Sequence, residues 1–195
     1  MKFDKIILLG VAILAASPLP LEAKSRKGKG DVTVAVFSLN DFHGGFVRND
    51  YKNIPGAPAV WQTLDSLKSV YPYNVTVAAG DNFGGSFFYA ATKGVLLPVF
   101  YNDLGIRLSA LGNHEFDDGQ KALVQKWQGA PLRPAGWNLS YVCANVRNAS
   151  GEIPAFAQPF ASAEIPIGKG KSVKVGFVGL LASSTPSQTS KSKIE

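Results

Sequence analysis

Three short polar clusters in this 195-residue chain contain the side chains that could do chemistry. Asp41 and His43 form the first, Asp81 follows Asp41 by 40 residues, and Asn113 and His114 begin 32 residues after Asp81. Their carboxylate, imidazole and amide groups suit zinc, manganese, iron or cobalt better than calcium. Two such cations need a bridging carboxylate, and Asp81, in the middle cluster, is the natural candidate. The pattern predicts a site for two divalent metal ions.

The chemistry expected of such a site is phosphate-ester hydrolysis. Paired cations bind phosphate oxygens and lower the pKa of water in an in-line displacement. His114, next to the predicted ligand Asn113, would point into the cavity and either donate a proton to the leaving oxygen or bind the phosphate. Asp117 could orient this imidazole and keep it protonated, because a nearby anion favours the charged form.

Each of these residues also has an ordinary structural explanation. Asp41 and Asp81 could be helix N-caps or turn residues. The two histidines, His43 and His114, could be hydrogen-bonded surface or core residues, and Glu115 is interpreted as a first-turn helix charge. Three clusters at consistent spacing are hard to explain as turn chemistry, however, so together they favour the metal site.

The elements that must position these clusters alternate between strands and helices. The predicted strands are Val32–Leu39, Asn74–Ala79, Arg107–Leu111 and Tyr141–Val146, the predicted helices are 58–70, 94–104 and 120–127, and a hairpin is predicted over 159–167 and 172–180. Pro98 should mark the first turn or a kink of the second helix. This order predicts an α/β fold with a central sheet, and in such sheets ligands bind beyond the carboxyl ends of the strands.

The N-terminal 23 residues are typical of a secretory signal peptide. Lys2 and Lys5 precede the apolar run Ile6–Ala16, which is shorter than the ~20 residues of a membrane-spanning helix. We therefore expect residues 1–23 to be a signal peptide and 24–30 a basic linker. The protein should be exported to the periplasm or the extracellular space without stable membrane insertion. An uncleaved anchor is the alternative, and the single cysteine, Cys143, excludes an intrachain disulfide.

The net charge of +6 does not indicate a nucleic-acid partner. The linker carries four of the basic residues, and residues 31–195 contain 14 Lys and Arg against 12 Asp and Glu. A nucleic-acid binder usually shows a basic face spread over its folded elements, which this distribution does not provide. The expected partner is a small phosphate ester, and the sequence gives no indication of oligomeric state.

The three clusters resemble motifs of the calcineurin-like metallophosphoesterases, most closely the branch of 5′-nucleotidases and UDP-sugar hydrolases. The similar segments are Asn40–Gly44 (NDFHG), Ala79–Ser86 (AGDNFGGS) and Gly112–Asp117 (GNHEFD), with further likeness at Cys143–Val146 and Val178–Leu180. The resemblance covers about residues 31–185 and implies an αββα sandwich that hydrolyses nucleotides. By the same resemblance, the metal ligands are Asp41, His43, Asp81 and Asn113, the catalytic pair is His114 and Asp117, and Asn113 and His114 bind substrate.

The chain departs from this family in one respect. The family completes its metal site with histidines from later segments and adds a C-terminal domain that grips the nucleotide base, whereas no histidine follows His114 here. The resemblance therefore implies that residues 31–195 are the N-terminal part of a metallophosphoesterase domain, C-terminally incomplete. Two functions remain open, a metal-dependent nucleotide hydrolase and an inactive exported fragment with at most weak metal or partner binding. An adhesion or surface protein is a third, supported only by the predicted export.

Overall fold

The computed structural model describes residues 31–189 and the backbone of residues 8–12. The predicted signal peptide and basic linker therefore lie outside the described residues, except that the backbone of Leu8–Ala12 forms a strand, β1. Export stays a prediction from the sequence.

Strands and helices alternate through the first part of the described chain. The strands that follow β1 are β2 Val34–Leu39, β3 Asn74–Ala78, β4 Leu108–Ala110, β5 Ser140–Val142, β6 Ala157–Gln158, β7 Phe160–Gly168 and β8 Lys171–Val178. The helices are α1 Ala57–Val70, α2 Phe87–Thr92, α3 Leu97–Leu104, α4 Gln120–Gln128 and α5 Thr185–Gln188. Short 3-10 helices cover Asp50–Lys52 and His114–Phe116.

Strands β1 to β6 form one parallel sheet in the order of the sequence. Its strands all point the same way, so the loops after β2, β3 and β4 emerge at one edge, as the alternating pattern predicted. Strands β7 and β8 form a separate antiparallel hairpin. The predicted α/β class is confirmed.

Side chains of β2 alternate between two apolar cores. Ala35, Phe37 and Leu39 belong to the larger core, which also contains buried residues of α1, α3 and α4. Val34 packs with Ile165 and Val175 of the hairpin in a smaller core. The sheet is thus covered by helices on one face and by the hairpin on the other, as expected from the period-two alternation of strand side chains.

Most predicted boundaries lie within two residues of the observed ones, and Pro98 lies in the first turn of α3 as expected. The main differences are three. The predicted strand Tyr141–Val146 already ends at Val142, and the sequence analysis did not anticipate α2 or β6. The last residues were expected to be loose, but Thr185–Gln188 forms the short helix α5.

None of the helices in the described part of the chain combines the length and the apolar character that crossing a membrane requires.

Candidate metal and active site

The loops that follow β2 and β3 are held together by backbone hydrogen bonds that continue beyond the strands. The N–H groups of Asp41, His43 and Gly44 donate to the carbonyl oxygens of Gly80, Asp81 and Asn82, at 3.3, 3.0 and 3.1 Å. The two loops therefore keep the register of their strands. This brings the first two polar clusters of the sequence side by side at the carboxyl edge of the sheet.

Asp41, His43 and Asp81 form a compact group of donor atoms. One ligand atom from each of the three side chains lies within 4.8 Å of the other two, and Asp41 Oδ1 lies 3.6 Å from His43 Nε2. Ligands ~2.1 Å from a tetrahedral cation are about 3.4 Å apart, so the Asp41–His43 pair already has a suitable spacing. The third ligand needs a shift of about an ångström to reach the same spacing. This mixed oxygen and nitrogen set fits a transition-metal cation such as zinc or manganese.

The orientation of the His43 ring is fixed by a backbone carbonyl. Its Nδ1 lies 3.2 Å from the carbonyl oxygen of Phe83, and a carbonyl oxygen can only accept a hydrogen bond. Nδ1 must therefore carry the proton, which leaves Nε2 with its lone pair on the side of Asp41. Such outer hydrogen bonds commonly set the tautomer of metal-binding histidines.

The backbone of all three residues is in the left-handed region. The φ angles of Asp41, His43 and Asp81 are 49°, 49° and 50°. This conformation costs non-glycine residues ~1–3 kcal/mol each and is concentrated at functional sites. Asp and His are among the residues that tolerate it best. The strain is consistent with a backbone that is bent in order to direct three ligands toward one point.

His114 and Asp117 lie next to this group. The backbone N–H of His114 donates to Asp81 Oδ1 at 2.9 Å, and the rings of His43 and His114 meet edge to face with centroids 4.7 Å apart. His114 Nδ1 lies 2.7 Å from Asp117 Oδ2. The predicted pair is therefore assembled in the structure, with Nδ1 occupied by Asp117 and Nε2 left for another partner.

The charge state of His114 is governed by opposing effects. Partial burial lowers the pKa of its imidazole, but the hydrogen bond and charge of Asp117, together with the charges of Asp81 and Glu115, outweigh burial and raise the pKa above its ordinary value. The surroundings thus favour the imidazolium form, which can donate a proton.

Asn113, the fourth predicted ligand, lies directly before His114 and is half-buried. Its neighbour Gly112 lies so close to Asp81 that a Cβ atom at Gly112 would be 2.1 Å from Asp81 Oδ1. The third polar cluster therefore packs directly against the second. All the residues that the sequence singled out lie in one region of the structure.

Glu115 was wrongly interpreted as a first-turn helix charge. Its side chain is completely buried, and its two carboxylate oxygens accept hydrogen bonds from the N–H groups of Asp81, Asn82 and Gly112 at 2.9, 2.8 and 2.6 Å. Burial raises the pKa of this carboxyl to about 7, although the three hydrogen bonds work in the opposite direction. No sequence signal identified Glu115, because its partners come from two loops distant in the chain.

The site opens into a cleft of about 580 Å³. Its lining includes Asp41, His43 and His114 together with Lys52 and Asn53, which follow the short hairpin after β2. This volume is in the range of small-molecule sites in proteins. Lys52 adds a positive charge to a cleft that would receive an anionic substrate.

Comparison with known proteins shows similarity to phosphate-releasing enzymes. The chain is 26% identical over 188 residues to an apyrase of Tabanus yao, which is 92% of this chain and 31% of the apyrase. Among solved structures, a 5′-nucleotidase precursor from Thermus thermophilus matches with a TM-score of 0.58 and 28% identity, over 77% of this chain and 29% of that one. The calcineurin-like phosphoesterase YfkN of Bacillus subtilis shares the fold, with a TM-score of 0.59 and 23% identity over 78% of this chain and 49% of YfkN. No family model matches.

The fold and the site together define the class as calcineurin-like phosphoesterases. Within that class, the chain is similar to the N-terminal part of 5′-nucleotidases and apyrases, which confirms the resemblance inferred from the three motifs. The chain spans between about a fifth and a third of the length of these curated relatives.

Proposed function

We propose that this protein hydrolyses phosphate esters, nucleotides in particular, with the help of divalent metal ions. The observation that carries the proposal is the convergence of Asp41, His43 and Asp81 beside the hydrogen-bonded pair His114 and Asp117. The names of the relatives, apyrase and 5′-nucleotidase, support nucleotides as the substrate class. We also propose that the protein is exported, as residues 1–23 predict.

Asp41 and His43 would hold one cation, and Asn113 would contribute to a second, with Asp81 shared between the two. Zinc, manganese, iron and cobalt all suit these donors. The chemistry that such cations supply is polarisation of the phosphoryl group and activation of water.

The remaining steps depend on the chain's own groups. His114 would donate a proton from Nε2 to the oxygen that leaves phosphorus, because Asp117 occupies Nδ1 and favours the charged ring. Asp117 holds the ring in place and keeps Nε2 directed away from itself. Lys52, in the same cleft, would attract the phosphate and any further anionic group of the substrate.

The second candidate function is metal binding without turnover. Among residues 31–189, one group of His, Cys, Asp and Glu side chains is close enough to hold an ion. A chain that gathers only one cation would lack the second charge that stabilises an in-line displacement.

Two measurements on the full chain separate these candidates. The first is the number of Mn²⁺ or Zn²⁺ ions retained after loading and desalting, determined by elemental analysis. The second is phosphate release from AMP, ADP, a nucleotide sugar and p-nitrophenyl phosphate. Hydrolysis of any of these with added metal supports the enzyme. One retained ion without hydrolysis supports the binding function, and neither binding nor hydrolysis contradicts both.

A further inference from the structure

Glu115 connects two loops where the sheet itself does not. Strands β3 and β4 share only one pair of facing residues, Ala78 and Ser109, so the hydrogen-bond ladder ends before the polar clusters begin. Beyond this point, the N–H groups of Asp81, Asn82 and Gly112 all donate to the Glu115 carboxylate. One side chain thus takes over the role that a neighbouring strand plays inside the sheet.

The arrangement is reciprocal. The Glu115 carboxylate holds the backbone of Asp81, while the Asp81 carboxylate accepts a hydrogen bond from the backbone N–H of His114, at 2.9 Å. Because Glu115 follows His114 in the chain, any movement of its carboxylate shifts both the Asp81 side chain and the His114 ring.

The site leaves little freedom for other ways of holding these loops. The left-handed φ of Asp81 is strained, and a Cβ at Gly80 would lie 2.6 Å from the backbone nitrogen of Gly112. Such a conformation persists only when the surrounding contacts enforce it. Complete burial of Glu115 also means that water cannot replace its three hydrogen bonds.

We propose that Glu115 is a positioning residue that sets the geometry of the metal site by fixing Asp81 and His114 relative to each other. It touches neither the substrate nor the metal. The proposal rests on the proposed function only in that the group around Asp81 binds a divalent cation.

The test is Mn²⁺ affinity of Glu115→Gln, measured by titration calorimetry on the full chain well below its melting temperature. Glutamine keeps the shape and one carbonyl acceptor, but its NH₂ group must face at least one of the three N–H donors. We expect a folded protein whose Mn²⁺ affinity is reduced about 10- to 100-fold, the usual effect of losing an outer hydrogen bond at a metal site. The matched control is Glu152→Gln, at an exposed glutamate, which should bind as the native chain does.

A merely structural role gives a different result. In that case Glu115→Gln melts at a lower temperature but retains native Mn²⁺ affinity when folded, and the proposal is overturned. Absence of Mn²⁺ binding by the native chain would overturn the proposed function as well.

A second measurement on the native chain applies if Glu115→Gln does not fold. Hydrogen exchange of the amides of Asp81, Asn82 and Gly112 reports the opening of this cluster. Mn²⁺ at about ten times its Kd should slow these three amides roughly tenfold, because a ligand that binds only the closed form suppresses opening in proportion. Exchange that is unchanged by metal would contradict the coupling of Glu115 to the site.

Discussion

His114 Nδ1 and Asp117 Oδ2 lie 2.7 Å apart, on residues three positions apart in the chain. The short 3-10 helix His114–Phe116 produces this contact, since the backbone N–H of Asp117 donates to the carbonyl oxygen of His114. Both side chains are about one-third exposed, so the pair is open to a substrate and yet held in place. If this pair protonates the leaving oxygen, its effect must depend on how much the leaving group needs a proton.

Asp117→Asn should therefore discriminate between substrates. Asparagine can still hydrogen-bond to Nδ1 but carries no charge to favour the imidazolium. We expect kcat for AMP, whose leaving alkoxide needs a proton, to fall about 100-fold. For p-nitrophenyl phosphate, whose leaving phenolate needs none, the loss should be much smaller.

The control for this prediction is Asp103→Asn, at an exposed aspartate near the end of α3, which should leave both rates unchanged. Equal losses on the two substrates in Asp117→Asn would mean that Asp117 acts in another way than through leaving-group protonation.

Metal binding should stabilise the folded chain. Mn²⁺ at 100 times its Kd adds about 2.7 kcal/mol to the free energy of unfolding when only the folded state binds. For a domain of this size, such an increase raises the melting temperature by about 5–10 °C. The shift should be lost in Asp41→Asn and kept in Asp50→Asn, an exposed aspartate that pairs with Arg48. A shift of equal size in both variants would indicate binding elsewhere on the chain.

Gly112 and Gly176 offer a matched pair of alanine substitutions. A Cβ at Gly112 would lie 2.1 Å from Asp81 Oδ1 and 2.6 Å from the Asp81 backbone nitrogen, whereas a Cβ at Gly176 meets nothing within 4 Å. We expect Gly112→Ala to lower the free energy of unfolding by about 2–3 kcal/mol and to weaken Mn²⁺ binding. Gly176→Ala should change stability by about 0.5 kcal/mol or less.

Chemical denaturation of both variants checks this prediction. Similar stability and similar Mn²⁺ affinity in Gly112→Ala and Gly176→Ala would show that the loops after β3 and β4 do not pack as closely as described.

The sequence was sufficient where local pattern decides structure. β2 and α1 were predicted within two residues, because an alternating β-branched run and a helical apolar period need no tertiary information. The β7–β8 hairpin was predicted from its glycine-containing turn, where Gly168, Lys169 and Gly170 all have left-handed φ angles.

The sequence was insufficient where structure depends on distant partners. Strand β6 has two residues and is defined only by its pairing with β5. Helix α2 has six residues after a glycine pair, and its one local signal is Ser86, whose hydroxyl caps it by accepting from the N–H of Tyr89. Short elements of this kind carry no periodicity that a sequence pattern could reveal.

The site shows the same division. Residue types and strand-end spacing brought Asp41, His43 and Asp81 into one hypothesis, because parallel strands deliver their carboxyl ends to a common edge. The role of Glu115 could not be found in this way. Its burial depends on N–H groups from the loops after β3 and β4, and a glutamate with such partners is indistinguishable in sequence from a surface charge.

The most direct test of the account is the initial rate of phosphate release from AMP with Mn²⁺, compared between the native chain and Asp81→Asn. Asp81 contributes to the candidate metal group and also accepts the hydrogen bond from His114, so both halves of the site depend on it. The account predicts metal-dependent release that falls at least about 100-fold in Asp81→Asn and stays unchanged in Asp50→Asn. Native-level release by Asp81→Asn, or equal release by the native chain after chelation of all metal, would contradict it.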